Sequence, residues 1–174
     1  GLGGIPKDFK KAFKWFQLGA EQEYIYAQFN LGSMYSNGQG VEQDKKEALK
    51  WFRLAAEQGF AVAQLAVAEM YDFVKEVPQD YKEAVKWYTK AAEQGNPNAQ
   101  RNLGNSYYNG NGVPQDYKEA VKWYTKAAEQ GYVLAFGNVG SLHTNGQGTK
   151  VNFKEAIKWF KLAVEKGDAQ AQKN

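Results

Sequence analysis

Apolar and small residues along this chain fall into two alternating helical stripes. Over 99 to 109 (AQRNLGNSYYN), Ala99, Leu103, Gly104 and Tyr107 stand at i, i+4, i+5 and i+8, one face of a helix. Over 117 to 130 (YKEAVKWYTKAAEQ), Ala120, Tyr124 and Ala127 stand at i, i+4 and i+7, and Trp123 and Ala128 widen the stripe. The polar and glycine-rich stretch 110 to 115 between them predicts a short loop. The first helix closes on Asn109-Gly110, a pair repeated at Asn37-Gly38 and Asn145-Gly146 and suited to a left-handed C-terminus. The second opens on Asp116 with Glu119 three residues on, which predicts a capping box: the aspartate accepts from first-turn N–H groups and the glutamate reaches back. The same spacing recurs as Asp44/Glu47, Asp80/Glu83 and Asn152/Glu155, while Lys11 replaces the glutamate after Asp8, so that helix is expected to fray more at its start. Gly131 is expected to stop the second helix, as are Gly59, Gly95 and Gly167; Glu23 departs from that column.

This pattern is periodic. Residues 77 to 95 and 113 to 131 are identical, an offset of 36. All five tryptophans, Trp15, Trp51, Trp87, Trp123 and Trp159, share that spacing, and so do Ala12, Ala48, Ala84, Ala120 and Ala156. A period of this length marks an array of helical hairpins, each unable to bury its apolar face alone. The register divides a single repeat domain, 1–174, into a partial repeat at 1–26, repeats at 27–62, 63–98, 99–134 and 135–170, and a truncated repeat at 171–174. Small residues such as Gly32, Gly104 and Gly140 are expected to let the helices approach closely. The second full repeat breaks the pattern: Ala68, Val74 and Glu76 stand where glycine is expected, which predicts a different loop shape.

Ala99…Leu103-Gly104…Tyr107, then Asn109-Gly110-Asn111-Gly112-Val113…Asp116, then Ala120…Trp123…Ala127-Ala128…Gly131 resembles the Sel-1-like repeat. The resemblance extends over essentially all 174 residues. It implies an all-α fold, a right-handed α/α superhelical solenoid of tetratricopeptide-like helix-turn-helix repeats. It also implies an adaptor that brings proteins into complexes, with bacterial examples often exported. Some cysteine-rich relatives are associated with β-lactams, but the chain has no cysteine and that association does not carry over.

Charge and composition narrow the function classes. The net charge of +3 is far from the dense field of a nucleic-acid binder, and glutamates run beside the lysine columns, so no nucleic-acid partner is expected. A mean hydropathy of −0.67 without a long apolar run argues against membrane insertion. The absence of cysteine leaves the compartment open between cytoplasm and periplasm. The opening GLGG falls in mid-repeat, so the chain is expected to be a trimmed fragment, which leaves a removed leader open. The other end, just inside a new unit, is expected to recruit further repeats or a second chain.

Columns that repeat are most simply structural, so binding is sought in columns that vary along the first helices. On the expectation that these helices line a concave groove, the partner-binding set is Phe29, Ser33, Ser36, Leu65, Glu69, Asp72, Arg101, Asn105, Tyr108, Ser141 and Thr144, with Gly137 sharing the Arg101 register. Arg101 and Asn105, at i and i+4, can grip a carboxylate, or Arg101 can pair with Glu69 or Asp72. Glu69 and Asp72 form a small acidic spot without further metal ligands. His143, the one histidine, occupies a core aromatic column and is expected to be packed and hydrogen-bonded. No catalytic residue, cofactor or metal is therefore expected. The function expected is a non-enzymatic scaffold holding a protein or peptide in its groove. The alternatives are a structural spacer contacting partners, or further copies, end to end, and a hydrolase.

Overall fold

The computed structural model describes the backbone of residues 8–171 and side chains up to Gly167; residues 1–7 and 172–174, where the opening GLGG and the start of a further unit fall, lie outside them. Nine helices fill the described residues: α1 Phe9–Glu21, α2 Ile25–Asn37, α3 Lys45–Glu57, α4 Ala61–Phe73, α5 Tyr81–Glu93, α6 Pro97–Asn109, α7 Tyr117–Glu129, α8 Val133–Asn145 and α9 Phe153–Ala171. The architecture is all-α, a solenoid of helical hairpins repeating every 36 residues. The described residues form two compact units that divide between Gln79 and Asp80. In the first, α2 packs on α1 and α3, and α3 on α4; in the second, α6 packs on α5 and α7, and α8 on α7 and α9.

The two stripes become the core. Ala99 and Leu103 of α6 and Ala120, Tyr124 and Ala127 of α7 are all buried. The small-residue column works by close approach: a methyl group added at Gly104 would lie 2.7 Å from the Tyr124 ring, and one at Gly140 would lie 2.8 Å from Phe160. Tyr124 and Phe160 thus rest on the bare backbone of their own hairpin partners.

Three local expectations need correction. The first concerns the capping box, which is only half made. Asp116 Oδ1 accepts from the N–H groups of Lys118 and Glu119, but the Asp116 N–H donates to the Tyr107 carbonyl at 2.9 Å, across the hairpin. Asp44 and Asn152 repeat this with Tyr35 and His143. The glutamates of these copies, left without that N–H, turn to the lysine three residues on: Glu47 to Lys50, Glu119 to Lys122, Glu155 to Lys158. The second is that Gly167 does not stop its helix, because α9 runs on to Ala171. Glycine permits a left-handed turn but does not compel one, and the turns after Gly59, Gly95 and Gly131 accompany a following helix that packs back. The third is Glu23, which departs from glycine in sequence but keeps its backbone conformation, at φ +63°. The different loop after α4 is present: α2, α6 and α8 end on left-handed Gly38, Gly110 and Gly146, whereas α4 ends on extended Val74.

Candidate functional site in the first-position helices

The positions chosen from sequence lie on α2 and α4 in the first unit and on α6 and α8 in the second. In the first unit most are already engaged. Phe29 packs its ring against Phe52 and Phe60, at 5.4 and 5.3 Å, and belongs to the core as much as to the surface. Ser36 holds the loop: its carbonyl and hydroxyl accept from Lys45 Nζ, and the carbonyl also from Gln43. The Ser33 hydroxyl accepts from Asn37, and Leu65 is half-buried. The Asp72 carbonyl accepts from Gln79.

Glu69 is half-buried, and its carboxyl is held above the ordinary carboxylate value, first by burial and second by the charge of Asp72. A carboxyl whose folded-state pKa is raised contributes stability fully below the unfolded value of 4.5 and loses that contribution as pH rises through the folded value. Glu69→Gln is therefore expected to raise the melting temperature at neutral pH and to lose this advantage in acid. Thermal unfolding across a pH series checks it; an offset independent of pH would show that the carboxyl is not the cause.

The second unit gathers its positions differently. Asn105, Tyr108 and Ser141 line one cleft between α6 and α8, together with Asn109, Asn138, Leu142 and, at its floor, Tyr124. The cleft has a volume of about 340 Å³. Its lining carries three carboxamides and three hydroxyls and no charged side chain. Tyr124 Oη donates to Asn105 Oδ1 at 2.6 Å, and burial raises the phenol's pKa far enough to keep that proton in place; the Arg101 charge opposes the rise weakly. Asn105 thus turns its NH2 away from Tyr124. Tyr108 lays its ring edge-to-face on Tyr117, at 5.3 Å, and its hydroxyl donates to Gln147 at 3.4 Å. Asn138 Oδ1 is buried and has no hydrogen-bond partner.

Two further positions are outside the cleft lining. Thr144 returns its hydroxyl to the Gly140 carbonyl of its own helix. Arg101 donates to neighbouring Asn102, and its Nε is buried without a partner. The Arg101 charge nonetheless acts on the Tyr124 hydroxyl that donates to Asn105. His143 is half-buried and packed, but its Nδ1 has no partner, contrary to the hydrogen-bonded imidazole expected. Among the described residues no three His, Asp or Glu side chains come together as metal ligands, and no helix is long and apolar enough to cross a membrane.

Sequence reasoning missed four of the cleft residues. In sequence Asn109 reads as a helix C-terminus and Tyr124 as core. Asn138 belongs to a column with Asn30 and Asn102, and repeated columns were set aside as structural. That asparagine column was the available signal.

The Sel1 repeat model matches residues 1–24, 25–60, 61–96, 97–132 and 137–168. The chain is a Sel1 repeat protein. Among solved structures it is similar to a protective antigen of uropathogenic Escherichia coli strains displaying an SLR fold, at 37% identity and a TM-score of 0.91 over 98% of this chain. It spans only 36% of that antigen's length. A Sel1 repeat protein from Oxalobacter formigenes is 39% identical, with a TM-score of 0.84, over 94% of this chain and 67% of its own. Cysteine rich protein B of Helicobacter pylori is 26% identical, with a TM-score of 0.57, over 72% of this chain and 90% of its own. None of the curated protein sequences compared with the chain matches it. Sel1 repeat proteins generally serve as non-catalytic scaffolds for protein interaction.

Proposed function

We propose that this Sel1 repeat protein is a non-enzymatic scaffold that takes a segment of a partner protein on the first-position helices of its second unit, in the α6/α8 cleft. The observation that carries this is the convergence of Asn105, Tyr108 and Ser141, from two successive repeats, on one lined cleft. A surface of merely tolerant positions has no reason to converge so. A hydrolytic role draws no support from His143, whose Nδ1 faces no hydroxyl or carboxylate partner.

The test uses peptides selected on the immobilised protein from a random linear library. Ser141→Trp fills the cleft and is expected to weaken the selected peptides by about tenfold or more, equivalent to ~1.4 kcal/mol. Glu129→Lys, on the exposed side of α7, is expected to leave them unchanged. Peptides indifferent to Ser141→Trp would place binding elsewhere and overturn the proposal.

A further inference from the structure

Glycine directly follows asparagine at Asn37-Gly38, Asn109-Gly110, Asn111-Gly112 and Asn145-Gly146. Such a junction can close on itself. The glycine nitrogen attacks the asparagine side-chain carbon, and a glycine has no Cβ to crowd the approach. Three of these nitrogens are committed elsewhere. Gly38, Gly110 and Gly146 are the left-handed caps of α2, α6 and α8, and their N–H groups donate to the carbonyls of Met34, Ser106 and Leu142. The asparagines before them are the last residues of those helices, and Asn37 and Asn145 direct Nδ2 to Ser33 and Gln147. Gly112 differs. It lies in the loop between α6 and α7, and its N–H donates to no group among the described residues. Asn111 is half-buried and outside any helix, and its side chain has no partner among those residues either. The register sharpens the contrast. The loops that seat Gly40 and Gly148 on a preceding helix hold Gln39 and Gln147 at the position of Asn111. Glutamine would have to close a six-membered ring, which is much slower. Asn111 shortens that ring to five members.

We propose that Asn111 is a site of spontaneous deamidation, and that its isoaspartyl product unseats the loop that carries it. The Gly112 N–H loses its proton to hydroxide, and the nitrogen bonds to Asn111 Cγ. The Cγ–Nδ2 bond breaks, and the side-chain nitrogen takes a proton back from water and leaves as ammonia. Water then opens the succinimide. Opening beside Cγ gives aspartate; opening beside the main-chain carbonyl carbon gives isoaspartate, whose chain runs on through Cβ and Cγ. Nothing is oxidised or reduced. Isoaspartate lengthens the main chain by one carbon immediately before Gly112. That glycine has no room to shift, because a Cβ on it would already lie 2.2 Å from the Tyr81 carbonyl oxygen. The loop follows Tyr108 and Asn109 of the cleft directly, and Gln115 and Asp116 tie it back to the Tyr108 and Tyr107 carbonyls. Ageing therefore loosens the α6–α7 hairpin beside the cleft and adds one negative charge to it. The inference does not depend on the scaffold assignment.

The test follows the whole protein as it ages. The folded chain is kept for weeks at body temperature, at neutral and at mildly alkaline pH, and a second sample is kept unfolded in urea. Peptide mapping with electron-transfer fragmentation separates asparagine, aspartate and isoaspartate at each junction. In the folded protein Asn111 is expected to convert several-fold faster than Asn37, Asn109 and Asn145, faster still at the higher pH, and with isoaspartate in excess. In urea the four rates are expected to converge. Asn111→Gln, which copies the loops of Gln39 and Gln147, is expected to remove the fast conversion. Asn111→Asp supplies the charge without the added carbon and is expected to melt with the parent, while the purified isoaspartyl fraction melts several degrees lower. No preference for Asn111 in the folded protein would overturn the site. The same preference persisting in urea would overturn the role of the free Gly112 nitrogen. An isoaspartyl fraction as stable as Asn111→Asp would overturn the unseating of the loop.

Discussion

Gly112→Val is expected to be the most damaging single change in the second unit. Gly112 sits at φ +76°, in the left-handed region, and a Cβ there would lie 2.2 Å from the Tyr81 carbonyl oxygen and 2.5 Å from its carbon. The backbone conformation alone costs an L-residue about 1–2 kcal/mol, more when β-branched. The contact is with main chain at the start of α5, which no rotamer change relieves. Together the two effects are expected to remove ~4 kcal/mol or more, beyond the usual range for a point change. At roughly 2–4 °C per kcal/mol for a chain of this size, the melting temperature falls by about eight degrees or more. Gly110→Ala separates the causes: at φ +76° it meets nothing nearer than 3.4 Å and carries only the conformational part. Thermal unfolding of both variants decides. Equal losses would mean that the loop does not depend on docking against α5.

The same approach recurs at Gly40 against Phe9 and at Gly148 against Tyr117, at 2.3 and 2.2 Å. These three hairpin loops therefore lay a bare Cα on the first turn of the preceding second helix. Glu76 occupies that position in the remaining copy, and there the loop leaves α4 through extended Val74 instead of a left-handed glycine. The substitution was visible in the sequence because a glycine column is a geometric statement: only glycine has no Cβ to collide.

What could be read in advance follows from how far each residue's partner lies along the chain. The α6 stripe of Ala99, Leu103 and Gly104 needs only a helix and an interior. Asp44 and Asp116 cap their own first turns, so both were legible. The glutamate of the capping box was misplaced because its target N–H is taken by a carbonyl nine residues back, at Tyr107 or Tyr35. Asn138 escapes a reading of the sequence because the cleft it lines is completed by residues of the preceding repeat, Asn105 and Tyr108. Gln28, Gln64 and Gln100 went unnoticed for a related reason. Polar residues between apolar ones are expected at the surface, yet these three are only 2–4% exposed.

Gln100→Glu tests that hidden column most severely. Gln100 Nε2 donates to the Ala92 carbonyl at 3.1 Å, and its Oε1 accepts from Gln130 Nε2, one repeat on, at 2.7 Å. Gln28 makes the same pair of bonds with Ala20 and Gln58. Gln28 and Gln100 thus each tie the end of one second helix to the end of the next within their own unit. Exchanging the NH2 for an oxygen points a carboxylate at a carbonyl without water between them, expected to cost roughly 3–5 kcal/mol at neutral pH, the scale of an uncompensated buried charge. Protonation restores a donor toward Ala92, so the deficit is expected to shrink as pH falls. Gln100→Leu, which loses two hydrogen bonds but buries no charge, is expected to lose about 2 kcal/mol without that pH dependence. A Gln100→Glu protein as stable as the parent at neutral pH would mean that the tie is solvated and structurally idle. The fourth copy supplies its own control. Thirty residues separate the paired columns, and where the donor column holds Lys166 the acceptor column holds Phe136, stacked on Trp159 at 5.8 Å. The buried amide persists where its donor does and gives way to an aromatic ring where the donor is gone.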